Sequence, residues 1–440
     1  MNFEKKKDMP GIARITAINV LKTLELHNFE RHIDMVFFEK KEEMLDERDE
    51  ALAKALIVTS LKNLLLIEYN LRPFLKYELN QGNPIIKWIL TIAITQLLFF
   101  DSVPDYAALN DSILLCRWFN LSKKEAFVNG VLREWLRSRD ENSLPEPPQK
   151  INTLYSHPPM LTHKFETDFG TETAEQILKW NNLQDQQYAR IRIFSDDVNS
   201  LIENNILVRT ENLQDDIYEI LEMGNLLHSP AMRNGDIYIM RPWSALVAKE
   251  TPLIKGGKFL DMCAAPGGKA IAIYDRCISE NKPMEIIAID SSERRLKTMK
   301  VNLKRSKIKE IKIAVLDALE AQAHFGSDSL DVILLDAPCS SLGMIRRDPE
   351  IRWRNCLAEM ESLIGVQRAL FEEAACMVKP GGYIVYSVCS FMLEETIAQR
   401  EYFSQKYHSL QFIKEQHNCS GQNGYDGGYF LIMQKKTKNN

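Results

Sequence analysis

At 440 residues the chain exceeds the roughly 250–300 at which a single hydrophobic core stops growing, so two or three domains are expected. Its 45% hydrophobic and 26% charged residues match a soluble globular protein and set aside a disordered or fibrous chain. A formal net charge of −5 excludes a uniformly basic nucleic-acid coat, so such a partner would have to be met by a local patch.

The opening MNFEKKKDMP carries charge with no apolar run behind it, and no secretory leader is expected. From Ile12 to about Arg139 apolar residues recur at three and four, as in IARITAINVLKTLEL and ALAKALIVTSLKNLLLIEYNL, which predicts an all-α domain over residues 1–140. The most apolar stretch, WILTIAITQLLFF from Trp88 to Phe100, is too short for the roughly 20 residues of a spanning helix and reads as a buried core helix, with no membrane partner. ENSLPEPPQK, residues 141–150, holds three prolines and reads as a linker. Residues 151–235 combine a helical stretch near Phe165–Trp180 with the strand-like RIRIF, Arg190–Phe194, as a small α/β module. The eight cysteines are scattered, with no pair at the close spacing of a zinc site, so no metal is expected and a reducing cytoplasmic setting is.

In residues 236–440 the apolar runs KFLDMC, EIIAID, IKIAVLD, LDVILLDAP and YIVYSVCS alternate with longer helical segments. That alternation predicts a C-terminal α/β domain with a parallel, doubly wound Rossmann-like sheet, whose ligands bind beyond the carboxyl ends of the strands. The first run feeds DMCAAPGGKA, Asp261–Ala270, a small-residue turn that lets a ligand approach backbone N–H groups at a helix start. It has neither the P-loop pattern nor the spaced glycines of a dinucleotide loop. Asp290 ends the second run about 20 residues beyond Gly268, where a carboxylate can accept from a ribose, although a strand-end Asp is also a common helix N-cap. Asp317 ends the third run with the same two readings. Asp336 and Cys339 follow the fourth run, and Cys389 ends the fifth. A lone cysteine packs as a small hydrophobe, and Cys116, Cys277, Cys356, Cys376, Cys419 and Cys263 are read so. If the fourth and fifth strands are neighbours, about 4.8 Å apart, both remaining thiols can reach one substrate.

These motifs resemble the RNA 5-cytosine methyltransferases of the Sun/NOL/NOP group. DMCAAPGGKA is similar to the family's S-adenosylmethionine loop, LLDAPCSSLG (Leu334–Gly343) to its proline-cysteine motif and YSVCS (Tyr386–Ser390) to its second cysteine motif. RRDPEIRW (Arg346–Trp353) and VKPGG (Val378–Gly382) follow in the same order. SVPDYAALND and FVNGVLR resemble the NusB-type RNA-binding domain of the bacterial RsmB subgroup, which methylates a cytosine in small-subunit ribosomal RNA. The resemblance implies S-adenosylmethionine as cofactor, held by Cys263, Ala264, Ala265, Pro266, Gly267, Gly268, Lys269, Asp290, Asp317 and Asp336. It implies Cys389 as the nucleophile on cytosine C6, Cys339 as the thiol that helps release product, and Asp336 as a carboxylate on the base or cofactor edge. Spacing alone leaves open which thiol attacks.

Two departures from the family pattern are visible. Met240 and Arg241 stand where the family has Gln-Asp, and Glu395, Thr396 and Ile397 stand where it has Glu-Asn-Glu. For RNA, Arg346, Arg347, Arg352 and Arg354 around Trp353 are expected to contact backbone and stack. The segment Ser291–Lys312, with nine Lys/Arg against two Glu, is a second basic run. The chain is expected to act as a monomer. The rival readings are a cytosine methyltransferase for another ribosomal or transfer-RNA site and an RNA-binding assembly factor.

Overall fold

The computed structural model describes residues 9–42, 45–211 and 213–437; residues 1–8, on which the leader expectation largely falls, lie outside them. Two compact units are present, Met1–Leu183 with Ile345–Cys356, and Gln184–Met344 with Leu357–Asn440. The division therefore falls at Leu183/Gln184 and not at the proline-rich segment 141–150, which is irregular but lies inside the first unit. Residues 151–183 are helical and go with the N-terminal helices, whereas 184–235 go with the C-terminal sheets.

The first unit is all-helical, as the 3.6-residue periodicity predicts. The apolar stretch forms the helix Pro84–Phe99, whose start is set by Pro84 in the first turn and by the Asn83 side chain accepting from the Ile85 and Ile86 amides. Trp88, Ile89, Leu90, Ile92 and Ala93 are buried all round it, so it is a core helix, and no helix among the described residues is long and apolar enough to cross a membrane. The stretch expected near Phe165–Trp180 is two helices, Pro159–Phe169 and Thr171–Asn182, because Gly170 sits at φ 80° and breaks the hydrogen-bond ladder.

The second unit holds two sheets. The smaller is antiparallel, with β1 (Gln187–Ile191), β2 (Leu207–Arg209), β3 (Ile217–Ile220) and β4 (Ile237–Ile239) in the order β2-β3-β1-β4. The larger comprises β5 (Lys258–Asp261), β6 (Glu285–Asp290), β7 (Lys312–Val315), β8 (Leu330–Asp336), β9 (Val378–Val388), β10 (Leu410–Asn418) and β11 (Gly428–Lys435), in the order β10-β11-β9-β8-β5-β6-β7. Strands β9, β8, β5, β6 and β7 run parallel; β10 and β11 are antiparallel additions at one edge. This is the Rossmann-like arrangement expected, and it gathers the ends of β5, β6, β8 and β9 on one side.

The basic cluster expected to meet RNA is placed differently. In the segment Ile345–Cys356, Arg352 is fully buried within the helical unit. Its guanidinium donates to Asn182 Oδ1 at 2.7 Å and to the Asn181 and Ser156 carbonyls at 3.1 and 3.2 Å. Burial pushes its pKa down to about 9, which still leaves it charged at neutral pH. Arg346 is buried with its guanidinium 4.2 Å from the Trp180 ring centroid, and Trp353 donates its indole N–H to the Leu61 carbonyl at 3.0 Å. Arg354 is half-buried, and Arg347 alone of the five is exposed, 3.4 Å from Asp348. A charged run read as surface is instead a set of anchors, because helix-end carbonyls from distant sequence supply its acceptors.

Arg352→Ala should therefore leave several buried acceptors unpaired and destabilise the protein by about 2–4 kcal/mol in chemical denaturation. Arg347→Ala should change stability by no more than about 0.5 kcal/mol. Equal effects from the two substitutions would contradict the anchoring role.

Candidate active site

Register brings the two singled-out thiols together. Strands β8 and β9 pair in parallel with Asp336 opposite Ser387, so the chain leaves both strands at the same level and Cys339 and Cys389 follow at matching positions. Their sulfurs lie 3.3 Å apart, both are free thiols, and both are partly exposed. Cys389 Sγ is also 3.4 Å from Ser341 Oγ. The hydrogen bond from Cys339 holds the Cys389 pKa below the ordinary thiol value against the opposing effect of burial, with Ser341 adding to the stabilisation. The same contact raises Cys339 well above it, since that thiol must give up a bonded proton beside a neighbouring negative charge. The pair is thus polarised, with Cys389 the more readily ionised of the two. Cys263, in contrast, is pushed up to about 12 by burial and nearby carboxylates.

Two sets of interactions fix the loops that carry the thiols. Behind Cys339, the fully buried carboxylate of Glu395 accepts from Ser340 N–H at 2.8 Å, from Ser340 O–H at 2.6 Å and from the Gln367 amide at 3.1 Å. Gln367 also donates to the Pro338 carbonyl at 3.0 Å, and the Tyr386 hydroxyl donates to Gln367 or to the Glu395 carbonyl. In front, Gly343 N–H donates to the Cys389 carbonyl at 3.1 Å, and a Cβ at Gly343 would stand 2.0 Å from the Gly427 carbonyl oxygen. Only glycine permits that approach.

Beside the thiols stands Asp336, whose Oδ2 accepts from Lys269 Nζ at 2.6 Å and whose Oδ1 accepts from Ser387 Oγ at 3.1 Å. Lys269 is raised in pKa, the attraction of Asp336 more than offsetting the cost of burial. Asp261, at the end of β5, is buried and pushed up to about 7 by that burial and by Asp336, and its Oδ1 has no hydrogen-bond partner. Sequence reasoning did not single out Asp261, although it ends a strand like Asp290 and Asp336. Glu395, Gln367 and Tyr386 carried no chemical signal beyond Glu395's place in the departed Glu-Asn-Glu position.

The small-residue loop lies beyond β5. Gly267 has φ 101°, and a Cβ there would meet Met299 at 2.8 Å. The Pro266 carbonyl accepts from the Tyr238 hydroxyl at 3.3 Å and from Asn302 at 3.1 Å. Asp290 is buried and ties the site's rim together: it accepts from the Ala265 and Ser292 amides at 3.3 and 2.8 Å and pairs with Arg295 at 2.8 Å. A carboxylate offers about four acceptor positions, so capacity for a further donor remains. Asp317 is exposed and caps the turn Ala318–Glu320 through Leu319 N–H, the N-cap reading. Arg241, one of the departures, pairs with Asp185 and Asp426 at 2.8 and 2.6 Å. In the helical unit, His32, Asp348 and Glu350 bring potential ligand atoms within 4.8 Å of one another, each with protein partners: His32 to Asp348 at 3.2 Å, and Ile33 N–H to Glu350 at 3.1 Å.

Residues 252–435 match the family model described as 16S rRNA methyltransferase RsmB/F, and residues 12–137 match the NusB family. The chain is 28% identical over 359 residues to the probable ribosomal RNA small subunit methyltransferase B of Bacillus subtilis (strain 168), covering 80% of this chain and 78% of that one. It is 25% identical over 374 residues to the ribosomal RNA small subunit methyltransferase B of Yersinia pseudotuberculosis, covering 84% and 85%. The fold is similar to PH0851, with a TM-score of 0.78 at 22% identity over 97% of this chain and 99% of that one. It is also similar to NSun6 from Pyrococcus horikoshii, solved with SFG, with a TM-score of 0.56 at 21% identity over 63% of this chain and 98% of that one.

Glu395→Ala should cost about 2–4 kcal/mol of stability, since Ser340 and Gln367 lose a buried acceptor. It should also free the Cys339 loop and raise the reactivity of Cys339 toward a thiol reagent relative to Cys389. Unchanged melting and unchanged relative reactivity would remove Glu395 from the support of the site.

Proposed function

From a chain whose catalytic region belongs with the RsmB/F methyltransferases and whose helical region belongs with the NusB family, making it an RNA methyltransferase, we propose transfer of a methyl group to C5 of a cytosine in small-subunit ribosomal RNA. The observation that carries this reading is the polarised thiol pair, 3.3 Å apart at adjacent strand ends. A close thiol pair alone would also serve dithiol–disulfide exchange; the fixed carboxylate of Asp336 beside it and the methyltransferase match of residues 252–435 favour methylation at carbon, since cytosine C5 is a poor nucleophile until C6 is attacked.

S-adenosylmethionine, when bound, supplies an electrophilic methyl carbon. The residues fitted to hold it are the loop Cys263–Gly268, the rim carboxylate Asp290 and the unpartnered Oδ1 of Asp261. Lys269 serves that side of the site indirectly, through Asp336. Asp317, exposed and committed to capping, contributes at the outer edge.

Cys389, as thiolate, adds to C6 of a cytosine that has left its stack. Asp336, held by Lys269 and Ser387, accepts from the exocyclic amine or the protonated ring nitrogen and so favours the protonated ring, which takes up the electron pair that thiolate addition delivers. Once Cys389 is bonded to carbon, Cys339 loses both its hydrogen-bond acceptor and the neighbouring charge that raised its pKa. It can then give its proton to solvent and, once C5 carries the methyl group, take the C5 proton; the electrons of the C5–H bond re-form the C5–C6 double bond as Cys389 leaves C6 as a thiolate. The order of the roles follows from the polarisation: the thiol that begins as donor finishes as base. We further propose that the protein acts in the cytoplasm as a monomer, where its thiols stay reduced.

The test uses labelled small-subunit ribosomal RNA, S-adenosylmethionine and a denaturing gel. Cys389→Ser should neither methylate nor form an adduct, because a hydroxyl is far less nucleophilic than a thiolate near pH 7. Cys339→Ser should attack and methylate but release slowly, accumulating a protein–RNA adduct. An adduct with Cys389→Ser and none with Cys339→Ser would reverse the assignment.

A further inference from the structure

The helix Glu293–Arg305 follows β6 and presents two unlike faces. Leu296, Met299 and Leu303 are buried on one, with Met299 lying against Gly267 of the small-residue loop. On the other, Arg294, Lys297, Lys300 and Lys304 are exposed and recur at three and four, so they form one stripe with neighbouring Cβ atoms about 5–6 Å apart. Lys307 continues the exposed run past the helix end. Glu293 is the helix's single acid, and it lies 3.6 Å from Lys297. Among the described residues Lys300, Lys304 and Lys307 meet no carboxylate. Neither the fold nor the thiol site uses them.

A charge run is ordinarily a solvated face. Position distinguishes this one: the helix starts three residues after Asp290, whose carboxylate bonds the loop and pairs with Arg295 of the first turn. The stripe therefore begins at the end of the sheet where β8 and β9 deliver the thiols. Sign distinguishes it as well, since the chain as a whole carries −5. The arginines of the other basic run are largely committed inside the helical unit.

We propose that Arg294, Lys297, Lys300, Lys304 and Lys307 form a phosphate track for the RNA strand that delivers the target cytosine. The inference rests on the RNA methyltransferase reading above and adds to it a surface. Flexible lysines at regular spacing suit backbone contact, which positions a strand without reading its sequence. Binding through such a track releases counterions and is steeply salt-dependent.

The test compares the full-length protein with the triple variant Lys300→Gln, Lys304→Gln, Lys307→Gln, measuring affinity for unlabelled-protein-bound, fluorescently tagged ribosomal RNA fragments from roughly 50 to 200 mM salt. With about 0.7 of slope per contact on a single strand, the variant's log–log salt slope should be shallower by about 2. Its melting temperature and S-adenosylmethionine affinity should match wild type, since all three side chains are exposed. The Lys→Arg triple variant should retain the wild-type slope. A wild type that binds and methylates RNA, beside a glutamine variant of identical slope, would overturn the track and leave the activity standing. A wild type that binds no RNA at any salt would overturn both.

Discussion

A hydrogen bond between two thiols is the interaction on which the catalytic unit depends. It exists because β8 and β9 are adjacent and parallel, with Asp336 level with Ser387, so two segments far apart in sequence end side by side. A slip of one residue in that pairing would put Asp336 and Ser387 on opposite faces of the sheet and separate the sulfurs. The rest of the unit prevents the slip. Glu395 bonds the backbone just beyond Cys339, and Gly343 bonds the backbone of Cys389.

That arrangement is costly in isolation. Glu395 is a buried carboxylate, Asp261 a buried carboxylate with one oxygen unpaired, and Lys269 a largely buried ammonium. Each is tolerated because its neighbours compensate: three donors around Glu395, Lys269 against Asp336, and an Asp261 pKa pushed up to about 7 so that its charge is partly relinquished. A site so built has strong fields at fixed positions, which is what makes one of two chemically identical thiols the better anion.

Much of this was legible in the sequence. All five expected strand runs are strands, and Asp290, Asp336, Cys339 and Cys389 sit at their ends because apolar runs and strand ends coincide in a sheet buried on both faces. RIRIF was read three residues late. Strand β1 is Gln187–Ile191, and Arg190 is buried in ion pairs with Asp216 and Asp275, partners that the strand-like pattern does not reveal. Arg352 failed for the same reason: no local pattern announces that carbonyls from Ser156 and Asn181 will surround it. The edge strand β10 is mostly exposed and polar, which leaves no apolar run to read. The Glu395 network was hidden because hydrogen-bond partners 28 and 55 residues apart leave no spacing signal.

The effect of Cys339 on Cys389 can be read from alkylation. The measurement is the rate at which iodoacetamide modifies each thiol across pH, resolved by peptide mass spectrometry, in the wild type and in Cys339→Ala. Cys389 should react with a midpoint below that of an ordinary cysteine while Cys339 reacts slowly, and Cys339→Ala should move the Cys389 midpoint upward. Faster modification of Cys339 in the wild type, or a Cys389 profile unmoved by the substitution, would contradict it.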